Sequence, residues 1–111
     1  MVKDALADLI YQAGKKAQNK GDLPKTDIPA VVITRPRQAQ RGDYTSNQPV
    51  QMIAEVNTTL KAAGHRPLSP VELGQRIAHR LPKVPFIAQV EVCPPGFINV
   101  TLDDGWLAQQ V

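Results

Sequence analysis

Few side chains in this sequence have the type and spacing to do chemistry, and the most telling lie in CPPGFINVTL, residues 93 to 102. Pro94, Pro95 and Gly96 form a tight bend. After it, Phe97, Asn99 and Thr101 alternate with Ile98, Val100 and Leu102. Successive strand residues point to opposite faces, so one face here is aliphatic and the other pairs a large aromatic with an amide. An aromatic ring beside an amide suits single-stranded nucleic acid: the ring stacks on a base and the amide bonds its edge. A second group, Arg35, Arg37 and Arg41 in RPRQAQR, has no acid within it and could neutralise phosphates. The ordinary alternatives are a Phe97 covered by a loop or a partner domain, and arginines that are only solvated.

The residue inventory argues against catalysis within the chain. Cys93 is the one cysteine, and it precedes Pro-Pro without an evident histidine base. His65 and His79 are far apart and read as surface groups, too few with one thiol for a metal site. No glycine-rich phosphate loop occurs. A single thiol forms no internal disulfide and fits a reducing, cytoplasmic setting. The 111 residues suffice for one domain with its own core, and no apolar run is long enough to span a membrane. The N-terminus carries acids and lacks the apolar stretch of a secretory signal. A formal charge of +3 is a mild basic bias, favouring a polyanionic partner only slightly.

The elements that must position these groups follow from periodicity. Residues 3 to 19 have a helical stripe of Leu6, Leu9, Ile10, Ala13 and Ala17, with Gly21 placed to end it. AVVIT predicts a strand over 30 to 34, and a short strand is possible near 42 to 45. Ser46 or Asn47 caps a helix with Pro49 in its first turn; Val50, Ile53, Ala54 and Leu60 would face inward, with Gly64 at the end. Ser69-Pro70 with Glu72 starts another helix, burying Val71, Leu73, Ile77 and Leu81 and showing Arg76 and Arg80 outward. FIAQVEV and FINVTL form an antiparallel hairpin. DDGWLAQQV begins like a last helix, with Trp106 and Leu107 inward. Helices on one face of an antiparallel sheet make a two-layer α+β sandwich, leaving Phe97 and Asn99 exposed on the open face. In the block before the first central helix, Gly42 suits a positive φ, Asp43 accepts backbone N–H groups in the turn into that helix, and Tyr44 packs its ring and bonds its hydroxyl.

Three segments, RPRQAQRGDYTSNQPVQMIA, ELGQRIAHRLP and VEVCPPGFINVTLDDGWL, resemble in order the N-terminal additional domain of arginyl-tRNA synthetase. The most specific pieces are Pro36-x-x-x-x-x-Gly42-Asp43-Tyr44-x-x-Asn47 and Pro95-Gly96-Phe97-Ile98-Asn99. The resemblance covers nearly the whole chain and implies one tRNA-binding domain over residues 1–111, with an α-β-β-α-β-β core. It implies docking on the outer corner of tRNA(Arg), where an aromatic and an amide read a nucleotide of the dihydrouridine loop. Phe97 and Asn99 match that pair; Pro94 departs from the polar residue the family can place before the bend. ATP and arginine would bind a catalytic domain, a second partner, and this domain would need no cofactor. Neither the His-x-Gly-His segment nor the Lys-rich loop of class I synthetases is present. The alternative from another class is a scaffold module whose open sheet docks on a protein.

Overall fold

The computed structural model describes residues 2–37 and 42–105. Three helices and three strands follow in the order α1 (Val2–Asn19), β1 (Tyr44–Ser46), α2 (Gln48–Ala62), α3 (Pro70–His79), β2 (Ile87–Cys93) and β3 (Phe97–Leu102). The sheet is antiparallel, with β3 central between β1 and β2. This is the expected α+β arrangement. The helices collect on one side: α2 and α3 lie against the sheet, and α1 lies against α3.

Amphipathic patterning builds the core. Leu6, Ile10, Ala13 and Ala17 of α1 meet Leu73 and Ile77 of α3 and Ile98, Val100 and Leu102 of β3 in one buried cluster. Burying each large aliphatic side chain is worth roughly 1.5–3 kcal/mol. The predicted first stripe therefore holds, with Leu9 only partly buried. In α2 the inward face is rotated from the expected one. Met52 and Val56 are buried, Ile53 and Leu60 are partly buried, and Val50 and Ala54 are exposed. The polar Gln48 is buried beside Pro49 and donates from Nε2 to the Pro29 carbonyl at 2.9 Å, so the helix enters one step out of the assumed phase.

Local polar groups fix the helix ends. Ser69 and Glu72 form a capping box: Glu72 N–H donates to Ser69 Oγ and Ser69 N–H to Glu72 Oε1, each at 3.1 Å. Asn57 of α2 bonds both backbone groups of Leu68, at 2.8 and 2.9 Å, and ties the link before α3 to α2. Arg80 does not stand free on an outer face. Its Nε and Nη2 clasp the Asp22 carboxylate at 2.6 and 3.3 Å, joining the end of α3 to the loop after α1. That guanidinium holds the Asp22 carboxyl below the usual carboxylate range.

Two expectations change. The strand over 30 to 34 reduces to one antiparallel bridge, Thr34 with Thr45, whose backbone bonds are 3.0 and 2.8 Å. Pro29 and Pro36 bracket the segment and lack N–H donors, and β1 is only three residues long. The α-β-β-α-β-β order therefore appears with a bridge for its first strand and a helix pair, α2 and α3, in its centre. Residues 104–105 start a helical turn as expected; Trp106 and Leu107 lie outside the described residues.

Candidate nucleic-acid interface

The bend before β3 aims the first candidate. Gly96 N–H donates to the Cys93 carbonyl at 2.9 Å. Gly96 has φ 145° and packs so closely on Pro70, the first residue of α3, that a Cβ there would stand 2.5 Å from Pro70 Cβ. The hairpin tip is thus seated on the helical layer, and Phe97 leaves it in a defined direction.

Register sorts the faces. Tyr44 pairs with Val100 and Ser46 with Ile98 on the helix side; Thr45 pairs with Asn99 on the other. Across β2, Glu91 opposes Asn99 and Cys93 opposes Phe97. Phe97 and Asn99 therefore share the face turned from the helices, as the alternation requires. Their exposure is lower than expected. Phe97 is partly buried, and Asn99 is only 4% exposed. The central position of β3 is the cause. Asn99 is short and is walled by Thr45 and Glu91 across the strands and by Phe97 and Thr101 along its own.

Phe97 stands between two cavities. One, of about 350 Å³, is lined by Pro29, Ala30, Val32, Asn47 and Gln51 among others. The second, of about 520 Å³, is lined by Thr34, Arg35, Pro36, Arg37, Thr45, Phe97 and Asn99. Asn99 Oδ1 accepts from Thr45 Oγ1 at 2.6 Å, while its buried Nδ2 has no hydrogen-bond partner. Arg35 lies over the Tyr44 ring, with Cζ 5.3 Å from its centroid. The structure thus brings Phe97, Asn99, Arg35 and Arg37 to one cavity. Arg41 falls outside the described residues.

The second sequence block is architectural. Gly42 has φ 104°, and a Cβ there would meet the Val100 carbonyl oxygen at 2.9 Å. Asp43 does not bond the turn into α2. Its Oδ2 accepts from Leu102 N–H at 2.7 Å and its own N–H donates to the Val100 carbonyl, so it stitches β1 to the end of β3. Tyr44 packs against the core. Asn47 occupies the N-cap of α2 without a side-chain cap bond, and Gln48 N–H donates to Ser46 Oγ at 3.2 Å instead. The freed Asn47 side chain lines the first cavity. Sequence reasoning missed Thr34, Thr45 and Gln51; only the register between β1 and β3 reveals the first two as neighbours of Asn99. His65 and His79 are exposed, and among the described residues no cluster of His, Cys, Asp or Glu could hold a metal. No described helix is long and apolar enough to cross a membrane.

Fold and face together define a small α+β module with a cation-edged, partly open sheet. Its fold matches the arginyl-tRNA synthetase of Plasmodium falciparum at a TM-score of 0.76 and 13% identity, over 97% of this chain and 17% of that one. It matches the Thermus thermophilus arginyl-tRNA synthetase at 0.62 and 22% identity, over 99% and 15%. In sequence it is 32% identical over 110 residues to an arginine–tRNA ligase of Dehalococcoides mccartyi (strain CBDB1), covering 99% of this chain and 18% of the relative. An arginine–tRNA ligase of Coxiella burnetii (strain CbuG_Q212) is 34% identical over 104 residues, 94% of this chain and 16% of its own length. The chain thus spans less than a fifth of these relatives, in their N-terminal region. Residues 2–102 match the model of the arginyl tRNA synthetase N terminal domain, and the chain belongs to that family.

Proposed function

We propose that this domain binds tRNA(Arg) on the dihydrouridine loop, at the outer corner of the L, and supports attachment of arginine by a ligase whose ATP- and arginine-binding catalytic domain lies outside this chain. The chain itself carries out no chemistry. Its partners are then tRNA(Arg) and that catalytic domain. The observation that supports the reading is the second cavity: a stacking ring, a buried amide with an unused donor and two arginines converge there. A base unstacked from the loop lays its face on Phe97 and turns its edge toward Asn99. Stacking of this kind is worth about 1–3 kcal/mol per base. Arg35 and Arg37 meet the phosphates, which position the RNA without specifying its sequence.

A scaffold role is favoured by one observation, the apolar run of Pro29, Ala30 and Val32 beside Phe97, with Val32 60% exposed. Titration at low salt separates the two. Under the RNA reading the chain binds tRNA(Arg), a base change in the dihydrouridine loop weakens binding, and Phe97→Ala weakens it for every loop base. A chain indifferent to both changes would leave the protein-docking role.

A further inference from the structure

The fold fixes Arg35 without occupying its hydrogen-bond donors. Other arginines use theirs: Arg66 donates to the Glu72 carboxylate at 3.1 Å, Arg80 to the Asp22 carboxylate at 2.6 Å and Arg76 to the Asp22 carbonyl at 2.8 Å. Among the described residues no oxygen accepts from Arg35. A ring holds its guanidinium instead, with Cζ 5.3 Å from the Tyr44 centroid. A cation–π contact acts on the charge as a whole and leaves the forked N–H groups able to bond an anion. The backbone is restrained on both sides of the residue. Before it, Thr34 exchanges two bonds with Thr45, at 3.0 and 2.8 Å. After it, Pro36 has a fixed φ and confines Arg35 to extended conformations. Tyr44 is itself anchored, paired with Val100 on β3 and packed against the core. Arg37, beyond Pro36, has neither bridge nor ring among the described residues.

We propose that Tyr44 is a positioning residue for RNA: its ring holds the Arg35 guanidinium, N–H groups unoccupied, at the cavity it shares with Arg37, so that Arg35 takes a phosphate at lower ordering cost than a free arginine. The inference rests on the RNA reading above and concerns the phosphates, not the base. An arginine side chain loses rotamer freedom when it binds, and restraint present beforehand removes part of that cost. Arg35 and Arg37 line one cavity but play unequal parts. Each neutralises one phosphate and adds equally to the salt dependence, while Arg35 adds more to the affinity. What the pair recognises is the polyanionic backbone, whatever its sequence.

The test uses the 111-residue chain and a tRNA(Arg) transcript, with fluorescence anisotropy over a range of salt concentrations. Arg35→Ala and Arg37→Ala should each flatten the slope of log K against log salt by about 1. Arg35→Ala should lose about two- to fivefold more affinity than Arg37→Ala. Tyr44→Leu removes the ring and keeps an apolar side chain. It should weaken binding by about two- to fivefold with the slope unchanged, and add nothing where Arg35 is already alanine. Tyr44→Phe keeps the ring and should restore wild-type affinity. Nuclear Overhauser contacts between the Arg35 side chain and the Tyr44 ring should be present in the free wild-type chain and persist in the RNA complex, a reading that needs no variant to fold. No loss from Tyr44→Leu, or an equal loss with and without Arg35, overturns the inference, since the ring then acts through the fold alone or not at all. So does an Arg35→Ala loss no larger than that of Arg37→Ala, or disappearance of the ring contacts on binding. If Phe97→Ala still weakens binding, those results leave the RNA reading standing. Binding untouched by Phe97→Ala and by both arginine variants would instead bring down the RNA reading, and this inference with it.

Discussion

Replacing Gly96 by alanine should cost this domain more stability than any comparable one-methyl addition in it. Two separate terms act at that position. At φ 145° a residue with a Cβ is strained, a cost of about 1–3 kcal/mol. The added carbon would also stand 2.5 Å from Pro70 Cβ, 3.2 Å from the Pro70 carbonyl carbon and 3.3 Å from Val50 Cγ2. Pro70 is fixed in the first turn of α3 by the capping box, so neither of its atoms yields by side-chain rotation alone. Overpacking of this kind costs about 1–3 kcal/mol. A loss of at least about 2 kcal/mol is expected. In a domain of this size that lowers Tm by about 8 °C or more. Gly74→Ala separates the terms. Gly74 is helical, and its Cβ would meet Val92 Cγ1 at 2.8 Å and Pro49 Cγ at 3.0 Å, a steric cost without backbone strain. Alanine there also gains about 1 kcal/mol of helix propensity. Its net loss should fall between about 0 and 2 kcal/mol. Urea denaturation followed by far-ultraviolet circular dichroism measures both variants. The reasoning fails if Gly96→Ala costs under about 1 kcal/mol, or less than Gly74→Ala. Under conditions where it stays folded, Gly96→Ala should still weaken RNA binding, because the strained tip no longer directs Phe97.

Other consequences are smaller and independent. Ser69→Ala removes the capping box and should cost about 1 kcal/mol in urea denaturation, while Ser69→Asp should cost only a few tenths. Asn57→Ala leaves both backbone groups of Leu68 without their side-chain partners and should cost about 1–3 kcal/mol by the same measurement. The Asp22 carboxyl is held low mainly by its hydrogen bond from Arg80, so its contribution is present above the ordinary carboxylate range and fades as the pH falls through the folded-state value. The Tm difference between wild type and Asp22→Asn should therefore be largest near neutrality and close on acidification; a difference that is constant with pH would contradict the ion pair's role. Arg37→Ala should leave the preferred base unaltered and flatten the slope of log K against log salt by about 1, whereas an unchanged slope would make Arg37 a solvated charge.

Local chemistry made most of the fold readable from the sequence. The helix signals were all short-range: the stripe through Leu6, Ile10, Ala13 and Ala17, Gly21 after it, and Ser69-Pro70 with Glu72. The hairpin was equally local, since its two strands are joined by three residues. What failed depended on distant partners. The AVVIT segment is β-branched enough for a strand, yet a strand exists only where a neighbour offers a ladder, and β1 offers a single bridge. The phase of α2 is not legible in its sequence, because its apolar residues are spread around the helix: Val50 and Ile53 compete with Met52 and Val56. Tertiary contacts made by Gln48 and Pro49 decide between them.

The candidate site was readable in direction but not in depth. Alternation assigns Phe97 and Asn99 to the face opposite Ile98 and Val100, and the register agrees. Alternation is blind to whether a face is covered. β3 is central because β1, more than fifty residues earlier, pairs along its other edge. That pairing sets Thr45 beside Asn99 and brings the 34–37 segment over the same cavity. An amide standing in water would discriminate weakly, since water satisfies either of its groups at little cost. Sunk between Thr45 and Glu91, with one group bonded and the other not, it has a stake in which atom arrives. Under the proposed RNA reading, the large aromatic at the rim supplies area and tolerates any base, and the small amide at the floor penalises the wrong one. A swap of the two positions would lose that division, because a floor aromatic has no polar group to leave unpaired and a rim amide is always hydrated.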